Sequence, residues 1–137
     1  MKGNIILDTG PLVAFLDRRD RWHAWAKAQM AEITPPLLTC ESVVSESCFL
    51  LRDLPGGVQA VMRLWEQGVF TVDFVLNDHR ESIEKLLSRY SNVPMSLADA
   101  CLVRMSEVTG GSEVCTLDSG FRIYRRHGRQ VIPLLFP

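Results

Sequence analysis

The sequence predicts an α/β fold: a central, mainly parallel sheet covered by helices on both faces. Two apolar runs, Ile5-Ile6-Leu7 and Val114-Cys115-Thr116-Leu117, have the continuous hydrophobicity of strands buried on both sides. Between them, apolar residues recur at spacings of three and four, as on amphipathic helices. Gly and Pro clusters separate the two kinds of segment, so strands and helices alternate, which is the pattern of a parallel sheet with crossover helices.

Residues 4–8 read as the first strand. Thr9-Gly10-Pro11 is a turn signal from which a short helix carrying Leu12, Val13, Phe15 and Leu16 starts, and Asp17-Arg18-Arg19-Asp20 is a charged break after it. A second helix runs from Trp22 to about Glu32, with Trp22, Ala26 and Met30 on one face, and Pro35-Pro36 stops it. Leu37-Leu38-Thr39 reads as a short strand. Residues 41–53 form a helical pattern that Leu54-Pro55-Gly56-Gly57 breaks, and Val58, Val61, Met62 and Trp65 outline another helix ending at Gly68. Residues 69–74 alternate as a strand. Asn77 or Asp78 caps a helix reaching about Tyr90, and Val93-Pro94-Met95 leads into a helix from Ser96 to Gly110-Gly111. A strand at 113–117, a helix around 120–127 and a last strand at 130–135 complete the series. No repeat, low-complexity tract or linker interrupts it, and 137 residues suit a single domain, 1–137, with one hydrophobic core.

Composition narrows the function classes. The chain is 47% hydrophobic and 23% charged, values of a globular domain, and no window approaches the roughly 18 consecutive apolar residues of a membrane span. With no signal-peptide pattern at the start, a soluble, cytoplasmic protein without a membrane partner is expected. Cys40, Cys48, Cys101 and Cys115 contain no C-x-x-C pair and lie in apolar contexts, so they read as core thiols. His23, His79 and His127 lie in predicted helices or helix starts with no i, i+4 partner, and read as solvated side chains, not zinc ligands. The net charge of −1 comes from 15 basic and 16 acidic residues, so setting a few inward acids aside leaves a basic excess elsewhere. After Asp118 the chain carries Arg122, Arg125, Arg126 and Arg129 and no acid. Two readings of that stretch stand: a phosphate-binding patch, or the cationic end of a helix.

Four acids stand where acids are usually excluded. Asp8 and Asp118 each follow an apolar strand, at the carboxyl edge where open α/β sheets bind ligands. Glu46 interrupts the apolar stripe of Val43 and Leu50, and Asp99 that of Leu102 and Val103, so both are expected to point inward. Acids gathered together repel one another and resist ionisation, and a divalent cation removes the conflict. Oxygen-only ligands suit Mg²⁺ or Mn²⁺. Carboxylate-held magnesium serves phosphate chemistry by activating water and stabilising charge on the attacking and leaving oxygens, so phosphodiester hydrolysis is the economical reading. Thr9 and Thr116 flank the same edge, where their hydroxyls are placed to orient carboxylates, although Thr116 also fits as β-branched strand filler. Plainer roles exist for each acid alone: Ser96-x-x-Asp99 is a capping box, and Asp8 and Asp118 suit turns or caps. Their coincidence at one sheet edge favours the joint reading.

Ile6-Leu7-Asp8-Thr9, Glu46 within 41–46, Ser96-Leu97-Ala98-Asp99-Ala100 and Thr116-Leu117-Asp118-Ser119-Gly120-Phe121 together resemble the PIN-domain ribonucleases, in particular the VapC-like toxin branch. The resemblance spans almost the whole chain in family order. It implies a three-layer α/β/α fold, a Mg²⁺ or Mn²⁺ site formed by Asp8, Glu46, Asp99 and Asp118, and endoribonuclease activity on RNA. It also implies frequent homodimers and, among toxins, a small antitoxin protein covering the active-site groove. Arg122, Arg125 and Arg126 are candidates for guiding the RNA backbone, and Trp22, Trp25, Trp65 and Met62 for a dimer or antitoxin surface, with core packing the plainer role for most of those four. Many relatives carry a further acid two residues beyond the position of Asp118, where this chain has Gly120, which bears on a second metal. A haloacid-dehalogenase-like phosphatase would need an acid where Gly10 stands, and a response-regulator-like phosphoacceptor a late lysine, whereas the lysines are Lys2, Lys27 and Lys85. The remaining rival is a non-catalytic RNA-binding or protein-interaction module that keeps the fold.

Overall fold

Strand β1 (Ile5–Leu7) has every residue buried and lies at the centre of the sheet. A computed structural model describes residues 3–137. Helices α1 (Thr9–Leu16) and α2 (His23–Glu32) lead to β2 (Leu37–Leu38), and α3 (Glu41–Leu50) and α4 (Gly57–Glu66) lead to β3 (Phe70–Thr71). Helices α5 (Arg80–Arg89) and α6 (Leu97–Val108) then lead to β4 (Glu113–Cys115). Among the described residues the main sheet has five strands, all parallel, in the order β3-β2-β1-β4-β7, where β7 is Leu134–Leu135. The chain builds outward from β1 on one side, then crosses to β4 on the other. A topological switch point therefore lies between β1 and β4, where open α/β sheets leave a crevice beyond the strand ends.

Strand alternation divides the core into two layers. Ile5, Leu7, Cys115 and Leu135 pack with Leu12, Ile33, Val44, Leu51 and Val61 from α1 to α4. Ile6 and Val114 face the other way, onto Ile83 and Leu86 of α5 and Ala98, Leu102 and Met105 of α6. The sheet thus has helices on both faces, as the sequence predicts. Cys40, Cys101 and Cys115 are buried, Cys48 is half-buried, and none forms a disulfide. No helix among the described residues is long and apolar enough to cross a membrane.

Four expectations are corrected. The strand expected over 69–74 pairs only at Phe70–Thr71, because β3 is an edge strand whose one neighbour, β2, is itself two residues long. The segment then turns through a 3₁₀ helix, Leu76–His79, so α5 starts later than its expected cap. The helix expected around 120–127 is a 3₁₀ turn, Ser119–Arg122, followed by strand β5 (Arg125–Arg126), which pairs antiparallel with β6 (Gln130–Val131). His127 and Gly128 both have positive φ, and the Arg129 N–H donates to the Arg126 carbonyl at 3.3 Å. Residues 127–129 thus form a three-residue hairpin loop between the paired Arg126 and Gln130. His127 therefore sits in a turn, and Arg125, Arg126 and Arg129 do not end a helix, whereas Arg122 closes the 3₁₀ turn. The strand expected over 130–135 is divided accordingly: its first part closes the ribbon and its last part joins the main sheet.

Candidate active site at the carboxyl edge of the sheet

Register brings the first two acids together. Leu7 lies opposite Cys115 in the β1–β4 pair, so Asp8 and Thr116 are the next residues on adjacent strands. The Asp8 N–H donates to the Cys115 carbonyl at 3.0 Å. Thr116 is fully buried; its hydroxyl donates to Asp8 Oδ2 at 2.7 Å and accepts from the Asp118 N–H at 2.9 Å. One side chain thereby ties the acids that follow β1 and β4. Thr9 makes a second tie: its N–H donates to Asp8 Oδ1 at 2.7 Å, and its hydroxyl to Glu46 Oε2 at 3.3 Å. Gly10 allows the close approach of these segments, since a Cβ there would lie 3.1 Å from the Leu117 side chain.

All four acids line one cleft of about 440 Å³, together with Thr9, Gly10, Leu50, Pro94, Ser96 and Leu117. Asp8 and Asp99 are each 8% exposed. The expectation that Glu46 points inward is corrected: it is exposed, because α3 buries its Val43, Val44 and Ser47 face and leaves Glu46 on the rim of the cleft. Asp118 is also exposed, and its Oδ1 accepts the Gly120 N–H at 2.8 Å in a tight turn. A side chain at 120 would bring its Cβ within 3.0 Å of that oxygen, so the glycine accommodates this turn.

Asp99 has both of its possible roles at once. It completes a capping box, with its N–H donating to Ser96 Oγ at 3.0 Å and its Oδ2 accepting from the Ser96 N–H at 3.3 Å, and it also lines the cleft. The same Oδ2 accepts from the Tyr124 hydroxyl at 2.9 Å. Burial, then the bond to Asp99, push the Tyr124 phenol above its ordinary pKa, so it remains a donor. Nothing in the local sequence pattern marks Tyr124, whose partner lies 25 residues away.

Burial raises the Asp8 carboxyl to about 6, against the pull of the Thr116 and Thr9 hydrogen bonds, and the nearby Asp99 and Asp118 charges add to the rise. Crowded oxygen donors of this kind suit a hard divalent cation. Yet among the described residues no three acidic, His or Cys side chains form a ready cage. The donor set fits an ion that keeps much of its water and takes only one or two carboxylates directly, the habit of Mg²⁺.

The expected RNA-contacting arginines lie outside the cleft lining. Arg122 is exposed, with its guanidinium 4.5 Å from the centre of the Phe136 ring. Arg125 and Arg126 are half-buried: Arg125 Nη1 donates to the carbonyls of Arg122, Ile123 and Tyr124, and Arg126 Nη1 to that of Ser112. His23 bonds the Ala14 carbonyl, and His79 accepts from Arg104 and stacks on Phe74, both away from the acids. Met62 and Trp65 are exposed, as are Phe49 and Leu50, whereas Trp22 and Trp25 are half-buried.

Comparison with known proteins agrees with the fold. The family profile for the PIN domain matches residues 5–126. A solved structure of Mycobacterium tuberculosis VapC20, described as a sarcin-ricin loop cleaving toxin, is similar with a TM-score of 0.65 and 27% sequence identity, covering 72% of this chain and 77% of that one. A comparison with curated protein sequences found no match. Because the profile runs from β1 through β5, and so takes in every strand end that carries an acid of the cleft, the chain belongs to the PIN-domain family, in a VapC-like form, a family of nucleases.

Proposed function

We propose that the protein is a Mg²⁺- or Mn²⁺-dependent endoribonuclease, with Asp8, Glu46, Asp99 and Asp118 as its metal-holding and catalytic acids. One observation carries this reading: four carboxylates from four separate segments line a single cleft at the switch point of the sheet. The similarity to a toxin that cleaves the sarcin-ricin loop supports RNA as the substrate and a toxin role paired with a small antitoxin. Exposed Phe49, Leu50, Met62 and Trp65 support a protein partner, whether an antitoxin or a second copy in a homodimer.

A bound divalent ion supplies a lowered pKa for the attacking water and charge stabilisation at the phosphate. The protein's own groups hold and orient. Thr116 and Thr9 each give Asp8 one hydrogen bond, fixing both of its oxygens. Asp118 Oδ2, Glu46 Oε1 and Asp99 Oδ1 accept no hydrogen bond among the described residues, so they are the oxygens available to an ion or to a proton from water. Arg122, Arg125 and Arg126 lie in the segment after Asp118, and Arg125 and Arg126 keep guanidinium donors beyond the Nη1 groups used internally, which supports a role in guiding phosphates.

Cleavage of an RNA panel in Mg²⁺ by the wild type and by Asp8→Asn tests the reading. The variant is expected to fold and to lose at least about a hundredfold in rate, in line with removal of a charge-stabilising group. Equal cleavage by both would trace the activity to a contaminant, and a folded wild type that binds RNA without cutting it would favour the non-catalytic module.

A further inference from the structure

The two oxygens of Asp99 have unequal surroundings. Oδ2 takes both of the carboxylate's protein donors, the Ser96 N–H at 3.3 Å and the Tyr124 hydroxyl at 2.9 Å, and Oδ1 takes none among the described residues. A capping box needs only the first of these bonds. The second comes from a ring that has little freedom to move. Tyr124 is 1% exposed and makes edge contacts with Phe121 and Tyr90, at centroid distances of 5.2 and 5.1 Å. Its backbone neighbour is tethered as well, since the Arg125 N–H donates to the Tyr90 hydroxyl at 2.9 Å. The shorter hold on the carboxylate therefore comes from outside the capping box, across 25 residues of sequence.

We propose that Tyr124 is a positioning residue of the nuclease site: its hydroxyl pins Asp99 Oδ2 and so presents Oδ1 to the ion and substrate in the cleft. This rests on the nuclease reading above. Asp99 without the phenol keeps only the long Ser96 bond, and its carboxylate turns more freely about χ2, a terminal torsion with a broad energy well. A ligand that must first be ordered binds its ion more weakly.

Tyr124→Phe keeps the ring and removes the donor. Calorimetric titration with Mn²⁺ alone is expected to give a Kd about three- to tenfold higher than the wild type, with kcat for RNA falling and KM little changed. Asp99→Asn is expected to lose Mn²⁺ uptake altogether. A wild type that takes up no Mn²⁺ overturns this inference together with the nuclease reading. Wild-type uptake that Asp99→Asn abolishes and Tyr124→Phe leaves unchanged, in both Kd and kcat, overturns the positioning role alone. A second measurement needs no change at 124. The chain has two tyrosines, so 3-fluorotyrosine labelling gives two ¹⁹F signals. Mg²⁺ is expected to move the Tyr124 signal in the wild type and not in Asp99→Asn, whereas a signal unmoved by Mg²⁺ in a protein that binds it would refute the coupling.

Discussion

Asp8 is a carboxylate held out of water beside two others, and its titration has a definite sign. The folded carboxyl sits at about 6 against 3.8 for the unreacted group, so between those values the native state holds a proton that the unfolded chain has lost. Its contribution is thus fully stabilising below about pH 4 and disappears as the pH rises to about 6 and beyond. For metal-free protein at pH 7 the cost has a ceiling of about 3 kcal/mol. Asp8→Asn should therefore melt higher than the wild type at pH 7 in EDTA while gaining little near pH 4. A gain of equal size at both pH values would mean that the charge of Asp8 is not what strains the cleft. An acid proposed for the active site is then also one whose neutralisation stabilises the empty fold, as expected where like charges are gathered for function.

Helix α3 shows how an element divides its faces between core and cleft. Val43 and Val44 enter the two core layers, and Glu46 meets the Thr9 hydroxyl at the rim. Ser47, between them in angle, is fully buried, and its hydroxyl has no hydrogen-bond partner among the described residues. A polar group left without a partner in the interior costs free energy that alanine does not. Ser47→Ala is expected to raise stability by about 1 kcal/mol in urea unfolding, with Mn²⁺ affinity unchanged; a loss of stability would reveal a bond that the hydroxyl makes in solution. The C-terminal ribbon divides its labour in a similar way. Arg125 and Arg126 spend donors on carbonyls of their own neighbourhood, so the basic character so evident in the sequence partly serves to hold the ribbon in place.

At the scale of the molecule, an ion in the cleft would link the ends of β1 and β4 to α3 and α6, elements spread from residue 8 to residue 118. Binding to the folded state alone must then stabilise the whole. With a Kd of about 1 mM, 10 mM Mg²⁺ adds about 1.4 kcal/mol, which for a domain of this size raises Tm by roughly 3–6 °C. The rise should vanish in Asp8→Asn. An equal rise in that variant would place the magnesium effect on the general surface charge.

The sequence by itself determined the layered α/β architecture, because doubly buried strands and amphipathic helices leave distinct hydrophobic periods, and it marked Asp8 and Asp118 because each directly follows such a strand. It also singled out Glu46 and Asp99, though it turned Glu46 inward when the helix rotates it to the rim. Tertiary structure alone decided that Leu7 faces Cys115, and hence that Thr116 can join Asp8 to Asp118. It likewise decided that residues 125–131 form a hairpin, where the cue was a His-Gly pair at a left-handed turn, and that Tyr124 reaches Asp99. Local periodicity reports what one segment buries; register and side-chain bonds between segments 25 or 108 residues apart exist only once the core has set their distances.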